Sequence, residues 1–143
     1  MLTRKDFKKA PNLPGIYFFR NKTGKILYIG KAANLRLRLL SYADLKTLGP
    51  AKERMLKEAT KVEWRELESE IEALIEEALA IKQYKPRYNV VFRDDKQYLF
   101  VGFSKEKFPK IIVTHQKKKN FEYIGPFTEG VSLRTVLASL RRI

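Results

Sequence analysis

Hydrophobic and polar positions change period several times along the chain, and the first clear pattern predicts a β-hairpin. Residues 15–20 form an apolar run rich in β-forming side chains, and residues 25–30 form a second run of the same kind. Residues 21–24, Asn-Lys-Thr-Gly, supply turn chemistry between the two runs. The alternation at residues 62–64 predicts a third strand.

The segment after the hairpin has the period of a helix. Asn34 can cap a helix that reaches about Leu45. Leu35, Leu39 and Tyr42 recur in it at helical spacing and therefore share one face.

Two more helices are predicted in the middle of the chain. The first is short and covers residues 51–59. The second is long and amphipathic, because Ser69 and Glu72 form a capping box before it and Pro86 stops it. The apolar positions that mark this second helix are Ile71, Leu74, Ile75, Ala78 and Leu79.

The last third of the chain is predicted to be rich in strands and to close with a helix over residues 133–142. The strands lie near residues 90–92, 98–103, 111–114 and 121–124. The chain as a whole is thus predicted to be α+β: a small antiparallel sheet flanked by helices, then a small β-rich extension with a terminal helix. The predicted boundary divides it into residues 1–92 and residues 93–143.

Composition narrows the chemistry that this fold could carry. The 143 residues include no cysteine and only one histidine, His115, which excludes disulfides, thiolate zinc sites and cysteine nucleophiles and disfavours a histidine-built metal site. A catalytic metal would then rest on carboxylate and water oxygens, which favours Mg²⁺ or Mn²⁺. No apolar run has the length of a membrane span, and the start lacks the core of a signal peptide, so a cytoplasmic location without membrane partners is predicted.

The charge balance predicts a polyanionic partner. Thirty Lys and Arg against sixteen Asp and Glu give a formal charge of +14 and a pI near 10.0. Residues 1–47 carry eleven of the basic residues but only two acidic ones, Asp6 and Asp44, which suggests one basic face. A ribosomal or merely soluble basic protein would have a similar composition.

Two short motifs lie on the predicted hairpin. Residues 15–17 read Gly-Ile-Tyr and residues 28–30 read Tyr-Ile-Gly, and Lys31, Arg38 and Tyr42 follow them. Each tripeptide alone is a weak signal. The two tripeptides on adjacent strands, followed by these three side chains, form a far more specific pattern. The combination resembles the GIY-YIG nuclease family.

Later segments resemble one branch of that family, the incision component of the bacterial excinuclease that carries out nucleotide excision repair. The similar segments are residues 72–77, 81–82, 86–90, 93–96, 108–110 and 123–127. The resemblance implies a divalent-metal-dependent DNA endonuclease that makes the incision on the 3′ side of a lesion. It also implies DNA as a partner and, in a longer protein, the other excision repair proteins.

Glu77 is the predicted metal ligand. Its helical neighbours are all apolar, and burying an unpaired carboxylate is costly, so a cation should meet it. A divalent metal and a core ion pair with Arg or Lys both satisfy that requirement, and the family resemblance implies a single Mg²⁺ or Mn²⁺. Glu76 next to it is expected to be a solvated charge. The apolar neighbours of Glu77 are Ala73, Leu74, Ala80 and Ile81.

Tyr17 and Tyr28 would bracket the attacked phosphate if both project from one face of the hairpin. This requires an odd sum of paired residue numbers, as when Tyr17 lies opposite Tyr28, and a bulge in the turn would shift the register by one residue. The sequence leaves the register open. By resemblance, a motif tyrosine takes a proton from water, with Tyr28 preferred to Tyr17, although buried strand tyrosines are usually structural.

The cations near the motif have separate predicted roles. Arg38 and Tyr42 are four residues apart, so both can face the hairpin, and the Arg38 guanidinium suits a phosphate that gains charge. Lys31, expected just after the second strand, would lower a tyrosine pKa or hold a phosphate oxygen, unless it is a solvated loop residue. Arg36 points elsewhere and is assigned to general attraction of the DNA backbone.

The remaining candidates are mainly structural. The family pattern implies organising roles for Gly15, Gly30 and Asn89. Lys117, Lys118 and Lys119 form a predicted basic loop, suited to DNA contact or to plain solubility. Asp94 and Asp95 are interpreted as turn residues and His115 as a strand end.

Two alternatives to a repair nuclease remain open. The chain ends before the later domains expected of a complete repair nuclease of this branch, so it is either a fragment or a short relative such as a stand-alone structure-specific endonuclease. The other alternative is a catalytically silent basic module that binds nucleic acid. Against it, every catalytic position of the family pattern is occupied.

Overall fold

A computed structural model of the chain describes residues 1–89, 99–114, 117–127 and 137–138. Its strands form two three-stranded antiparallel sheets, the first in the order β2-β1-β3 and the second in the order β5-β4-β6. The strands are β1 (Gly15–Arg20), β2 (Ile26–Ala32), β3 (Lys61–Glu66), β4 (Leu99–Ser104), β5 (Ile111–Thr114) and β6 (Phe121–Phe127).

Within the described ranges, helices accompany the sheets and confirm the predicted α+β class. They are α1 (Arg4–Lys8), α2 (Leu35–Leu40), α3 (Pro50–Glu58) and α4 (Glu70–Tyr84), with 3₁₀ turns at Ser41–Ala43 and Leu45–Thr47. In the part of the chain that the structure describes, no helix has the length and apolar character needed to cross a membrane.

The hairpin register is set by its turn. The Asn21 side chain accepts hydrogen bonds from the backbone N–H groups of Thr23 and Lys25, and Gly24 takes a left-handed φ of 84°. The strand pairing shifts by one residue next to the turn, between Phe19 and Arg20, while the rest of β1 keeps an odd pairing sum. Tyr17 therefore shares a face of the sheet with Tyr28 of the neighbouring strand.

The two faces of the first sheet are covered by different helices. The face with Tyr17 and Phe19 packs against α1, α2 and α3 through Phe7, Leu39 and Met55. The opposite face packs against α4. Helix α4 does not lie across the tyrosine rings, because the apolar side chains on the opposite face of β1 and β2 pack against α4. This second cluster consists of Ile16, Phe18, Ile26, Ile29, Ala73, Ala80 and Ile81.

Helix α4 also supports the second sheet. Leu74 and Ala78 are buried against Val101 of β4 and Phe127 of β6. Ile71 and Leu79, predicted to lie in the buried stripe, are 39% and 47% exposed. The buried stripe is instead the set that serves both sheets, Ala73, Leu74, Glu77, Ala78, Ala80 and Ile81.

The helix ends agree with the sequence in most respects. The Asn34 side chain caps α2 by accepting from the Leu37 N–H, and the Ser69 hydroxyl accepts from the Glu72 N–H at 3.1 Å. The capping box is not reciprocal, since the Glu72 carboxylate accepts from the Glu68 N–H instead. Helix α4 ends at Tyr84, two residues before the proline predicted to stop it.

Some elements differ from the prediction. Helix α2 ends at Leu40 rather than near residue 45, and the following 3₁₀ turn still buries Tyr42. Helix α1 is absent from the predicted elements, although Thr3 and Asp6 form a capping box that could have shown it. The strand predicted near 90–92, the 92/93 boundary and most of the terminal helix lie outside the described residues; residues 137 and 138, which are described, are helical.

Replacing Leu74 by Ala should reduce the free energy of unfolding by about 2–5 kcal/mol, because its side chain is 2% exposed in the contact between α4 and the second sheet. Leu79→Ala on the same helix is the matched control and should cost less than about 1 kcal/mol, since Leu79 is 47% exposed. Urea unfolding measures both. Equal losses would contradict the placement of α4 between the two sheets.

Candidate active site

Three tyrosines and an arginine converge at the face of the first sheet that carries Tyr17. The Tyr17 and Tyr42 hydroxyls are 2.8 Å apart and share a hydrogen bond, and Arg38 Nε donates to the Tyr17 hydroxyl at 3.4 Å. The Tyr28 ring centroid lies 6.2 Å from that of Tyr17. The structure thus brings all four side chains together, with Arg38 and Tyr42 facing the hairpin as their spacing predicts.

The motif glycines allow these rings to approach. Gly30 is paired directly with Tyr17, and a Cβ added at residue 30 would overlap the phenol ring and hydroxyl of Tyr17. A Cβ added at Gly15 would overlap the Arg65 carbonyl oxygen and crowd Leu35. Gly30 thus lets the Tyr17 ring lie across β2, and Gly15 lets β1 pack closely against β3 and α2.

Two cations flank the Tyr42 ring. Arg38 Cζ and Lys52 Nζ each lie 6.0 Å from its centroid, within the range of a cation–π interaction. Lys52 lies on α3 and is half-buried. Nothing in the sequence singled it out, because the periodicity of α3 does not reveal which part of the chain its residues meet.

Glu77 is buried beside the tyrosine cluster. Its side chain is 6% exposed, as its apolar helix neighbours predicted. Its negative charge contributes to raising the pKa of both Tyr17 and Tyr28, so the carboxylate lies close enough to act on both phenols. The Glu77 carboxylate thus acts electrostatically on the two phenols, although α4 packs on the other face of the sheet.

The donor set fits a hard divalent cation. Within the described ranges no group of three or more His, Cys, Asp or Glu side chains is close enough to hold a metal. Glu77 supplies a buried carboxylate oxygen that could bind such a cation, with water or substrate oxygen in the remaining positions. Mg²⁺ commonly binds in this way, through one or two carboxylates and several waters.

The phenols in this cluster are poor acids. Burial raises the pKa of Tyr28 well above its usual value of 10.0, and the charges of Tyr17 and Glu77 raise it further while Arg38 lowers it. Burial likewise raises the pKa of Tyr17 and of Tyr42. The neighbouring Tyr17 raises the pKa of Arg38, so the guanidinium stays charged. All three phenols are therefore neutral at neutral pH.

Lys31 occupies a different place from the one predicted. It lies within β2, paired with Ile16, rather than after the strand. Alternation along β2 directs Lys31 to the face opposite Tyr28. The positive charge of Arg38 lowers the pKa of Tyr28. The predicted effect of Lys31 on a motif tyrosine stays a prediction. The hydrogen bond from Arg38 to the Tyr17 hydroxyl favours Arg38 for that role.

Asn89 and Arg36 make contacts within the fold. The Asn89 side chain donates to the Ile29 carbonyl at 2.9 Å and accepts from the Ile29 N–H at 2.8 Å, which satisfies the backbone of the edge strand β2 in the middle of the second motif. Arg36 Nε donates to the Ala10 carbonyl at 2.7 Å and anchors the segment after α1.

The other candidates are paired or placed elsewhere. Glu76 forms an ion pair with Arg65 at 3.2 Å. Lys117 Nζ lies 5.0 Å from the Phe100 ring centroid, and the Lys118 N–H donates to the Tyr123 hydroxyl. Residues 94, 95 and 115, interpreted as turn and strand-end residues, lie outside the described residues.

Comparison with known proteins agrees with this geometry. The sequence matches the UvrC-like GIY-YIG domain over residues 13–90. The GIY-YIG N-terminal endonuclease domain of UvrC from Thermotoga maritima, bound to its catalytic divalent cation magnesium, is 44% identical, with a TM-score of 0.55 over 60% of this chain and 93% of that one. A variant of that domain with one asparagine replaced by alanine, also bound to its catalytic divalent cation, gives a TM-score of 0.54 over 59% of this chain and 91% of that one, at 44% identity.

Full-length relatives extend the match. UvrABC system protein C of Caldicellulosiruptor saccharolyticus is 35% identical over 100% of this chain and 24% of its own length. The protein of the same name from Renibacterium salmoninarum is 44% identical over 93% of this chain and 21% of its own length. The chain thus spans about a quarter or less of the length of these relatives.

The hairpin with its motif tyrosines, the arginine on α2 and the buried glutamate on α4 define a GIY-YIG domain. The chain belongs to the UvrC-like branch of that family.

A methyl group at residue 30 should displace the Tyr17 ring, because a Cβ there overlaps that ring. Gly30→Ala should therefore reduce the free energy of unfolding by about 1–3 kcal/mol and alter the near-ultraviolet circular dichroism of the tyrosines. Gly49→Ala is the control, since nothing lies within 4 Å of a Cβ at that residue. Unchanged stability and spectrum in Gly30→Ala would contradict the observed ring position.

Removing the charge of Glu77 should lower the Tyr28 pKa, because that charge contributes to raising it. Tyrosinate absorbance is followed during alkaline titration. Subtracting the curve of Glu77→Gln/Tyr28→Phe from that of Glu77→Gln isolates Tyr28 in the variant. Subtracting the curve of Tyr28→Phe from that of the parent chain gives the reference. Glu76→Gln is the matched control and should leave the titration unchanged, since Glu76 is paired with Arg65. An unchanged Tyr28 pKa in Glu77→Gln would place the carboxylate too far away to act.

Proposed function

We propose that this chain is a metal-dependent DNA endonuclease domain that hydrolyses a phosphodiester bond. The observation that carries the proposal is the convergence of three tyrosine side chains and Arg38 beside the buried carboxylate of Glu77. In a longer protein this domain would make the 3′ incision of nucleotide excision repair, with DNA as substrate and the other excision repair proteins as partners. The relatives named UvrABC system protein C support this part of the proposal.

Glu77 would hold a single Mg²⁺ or Mn²⁺ ion, as the magnesium-bound domain of Thermotoga maritima supports. Such an ion supplies positive charge to the phosphate and leaving oxygen and lowers the pKa of bound water. The role of the protein is to keep the carboxylate buried, so that its negative charge is not screened by solvent and its attraction for a cation stays strong.

Arg38 is proposed to bind the attacked phosphate. The residue is exposed, its guanidinium remains charged, and one of its nitrogens points at the Tyr17 hydroxyl. A planar donor fork suits the charge that builds on phosphate oxygens in the transition state. Tyr17 and Tyr42 would then orient the guanidinium through their shared hydrogen bond.

Tyr28 is proposed to accept the proton of the attacking water while it is deprotonated, so that the tyrosinate oxygen regains its hydroxyl proton, with Tyr17 as the second choice. With its pKa raised well above 10.0, an unassisted Tyr28 phenol would be a very weak source of base at neutral pH. Positive charge at Glu77 would cancel the part of the rise that the carboxylate causes. Proton transfer at Tyr28 therefore depends on the charge state of the Glu77 site.

The wider DNA contacts belong to the same proposal. Lys118 and Lys119 are exposed and can approach phosphates, whereas Arg36 and Lys117 are also used in contacts within the fold. Lys31 would meet DNA from the α4 side of the sheet.

The domain division and the location also remain proposals. The family match at residues 13–90 supports a division into a nuclease unit, residues 1–92, and an extension, residues 93–143. Strands of both parts pack against α4. A cytoplasmic location is proposed from composition.

The test is incubation of plasmid and bubble-containing DNA with Mg²⁺, Mn²⁺ or EDTA. Cleavage should require the metal and should fall by about 100- to 1000-fold in Arg38→Ala and by at least as much in Glu77→Gln. Glu76→Gln, which alters the neighbouring carboxylate in its ion pair, should retain activity within about threefold. Cleavage that survives Glu77→Gln and Arg38→Ala would overturn the proposed site, and DNA binding without any cleavage would favour a silent module.

A further inference from the structure

The loop between β4 and β5, residues 105–110, carries an aromatic side chain that no contact in the proposed active site uses. Phe108 is 81% exposed, more than any other large apolar side chain among the described residues. Lys107 Nζ lies 6.0 Å from its ring centroid, and Pro109 restricts the backbone that follows. One exposed apolar side chain is common on protein surfaces, so the neighbours of the Phe108 ring decide what it could bind.

The loop is closed firmly at its base. The N–H of Ser104 donates to the Lys110 carbonyl at 3.0 Å, and the Lys110 N–H donates back to the Ser104 hydroxyl at 2.7 Å. Ser104 is only 7% exposed, so the backbone pair and its hydroxyl bond are protected from water. The exposure of Phe108 is therefore a property of an ordered loop and does not result from fraying of a strand end.

The surroundings of Phe108 are basic. Lys105, Lys107 and Lys110 belong to the loop, and all three side chains are exposed. The Lys105 N–H donates to the Asn120 carbonyl at 3.2 Å, which brings the lysine-rich segment 117–119 to the end of the second sheet where the loop lies. Within residues 105–110 and 117–120, Glu106 is the single acidic residue of the sequence.

We propose that this loop is a DNA contact in which Phe108 stacks on an unpaired base while Lys105, Lys107 and Lys110 bind the phosphates of the same strand. An exposed ring among lysines matches the combination of stacking platform and cationic groove that binds single strands. A protein partner would instead favour an apolar patch with few lysines at its centre. The inference rests on DNA being the ligand of the proposed function, but it does not rest on catalysis.

The experiment measures binding in EDTA, so that cleavage does not enter. The probes are a fluorescein-labelled duplex with a central bubble containing 2-aminopurine and a fully paired duplex of the same sequence. Phe108→Ala should weaken binding to the bubble by about 5- to 150-fold, the effect of losing one base–aromatic stack, and should change the 2-aminopurine signal. Phe108→Trp should restore both. Binding to the paired duplex should change by less than about twofold in either variant, since a paired base offers no free face for stacking.

Controls separate stacking from charge and from folding. Val113→Ala removes a 45% exposed apolar side chain from the neighbouring strand and should leave binding unchanged. The triple change Lys105→Ala, Lys107→Ala and Lys110→Ala should weaken binding to both probes and reduce the dependence of affinity on salt. Circular dichroism should match the parent chain in all variants, since the altered side chains are exposed.

The inference is overturned if Phe108→Ala binds the bubble as tightly as the parent chain, which would leave the ring to a protein partner. It is also overturned if Phe108→Ala weakens both probes equally and Phe108→Trp restores neither. Loss of cleavage in Glu77→Gln with unchanged bubble binding supports the proposed catalytic site and leaves the loop proposal as it stands. Absence of cleavage in the parent chain contradicts the proposed catalytic function alone. The two proposals can therefore fail separately.

Discussion

The pairing of Tyr17 with Gly30 is the constraint on which the site depends. Because residue 30 has no side chain, the Tyr17 ring crosses β2 and its hydroxyl meets that of Tyr42 at 2.8 Å. The same register places Tyr28 on the same face, and Arg38 donates to the hydroxyl that this arrangement positions. A shift of the pairing by one residue would move every side chain of β2 to the opposite face of the sheet and separate Tyr28 from the cluster.

Local features of the fold were readable from the sequence, and long-range ones were not. The turn at Asn21 and the cap at Asn34 depend on side chains a few residues away, so their residue types suffice to predict them. The burial of Glu77 followed from its neighbours on the helix. The face of the sheet that α4 covers and the position of Lys52 over a distant ring depend on tertiary packing, which no local pattern encodes.

The electrostatics of the site couple metal binding to proton transfer. Loss of contact with water disfavours the charged form of all three phenols and raises the pKa of each, and the negative charge of Glu77 adds to the rise at Tyr17 and Tyr28. Arg38 opposes this effect within the cluster and lowers the pKa of Tyr17 and Tyr28. A cation at Glu77 would add to the effect of Arg38, so the same buried arrangement that keeps the phenols neutral makes them responsive to that cation.

Helix α4 packs between the two sheets. Ala73 and Ala80 contact the first sheet, and Leu74 and Ala78 contact the second. A version of this chain cut before β4 would keep its hairpin and its acidic residue, yet Leu74 and Ala78 would lose Val101 and Phe127 as cover. Such a truncated form would expose an apolar surface on α4 and would therefore tend to self-associate.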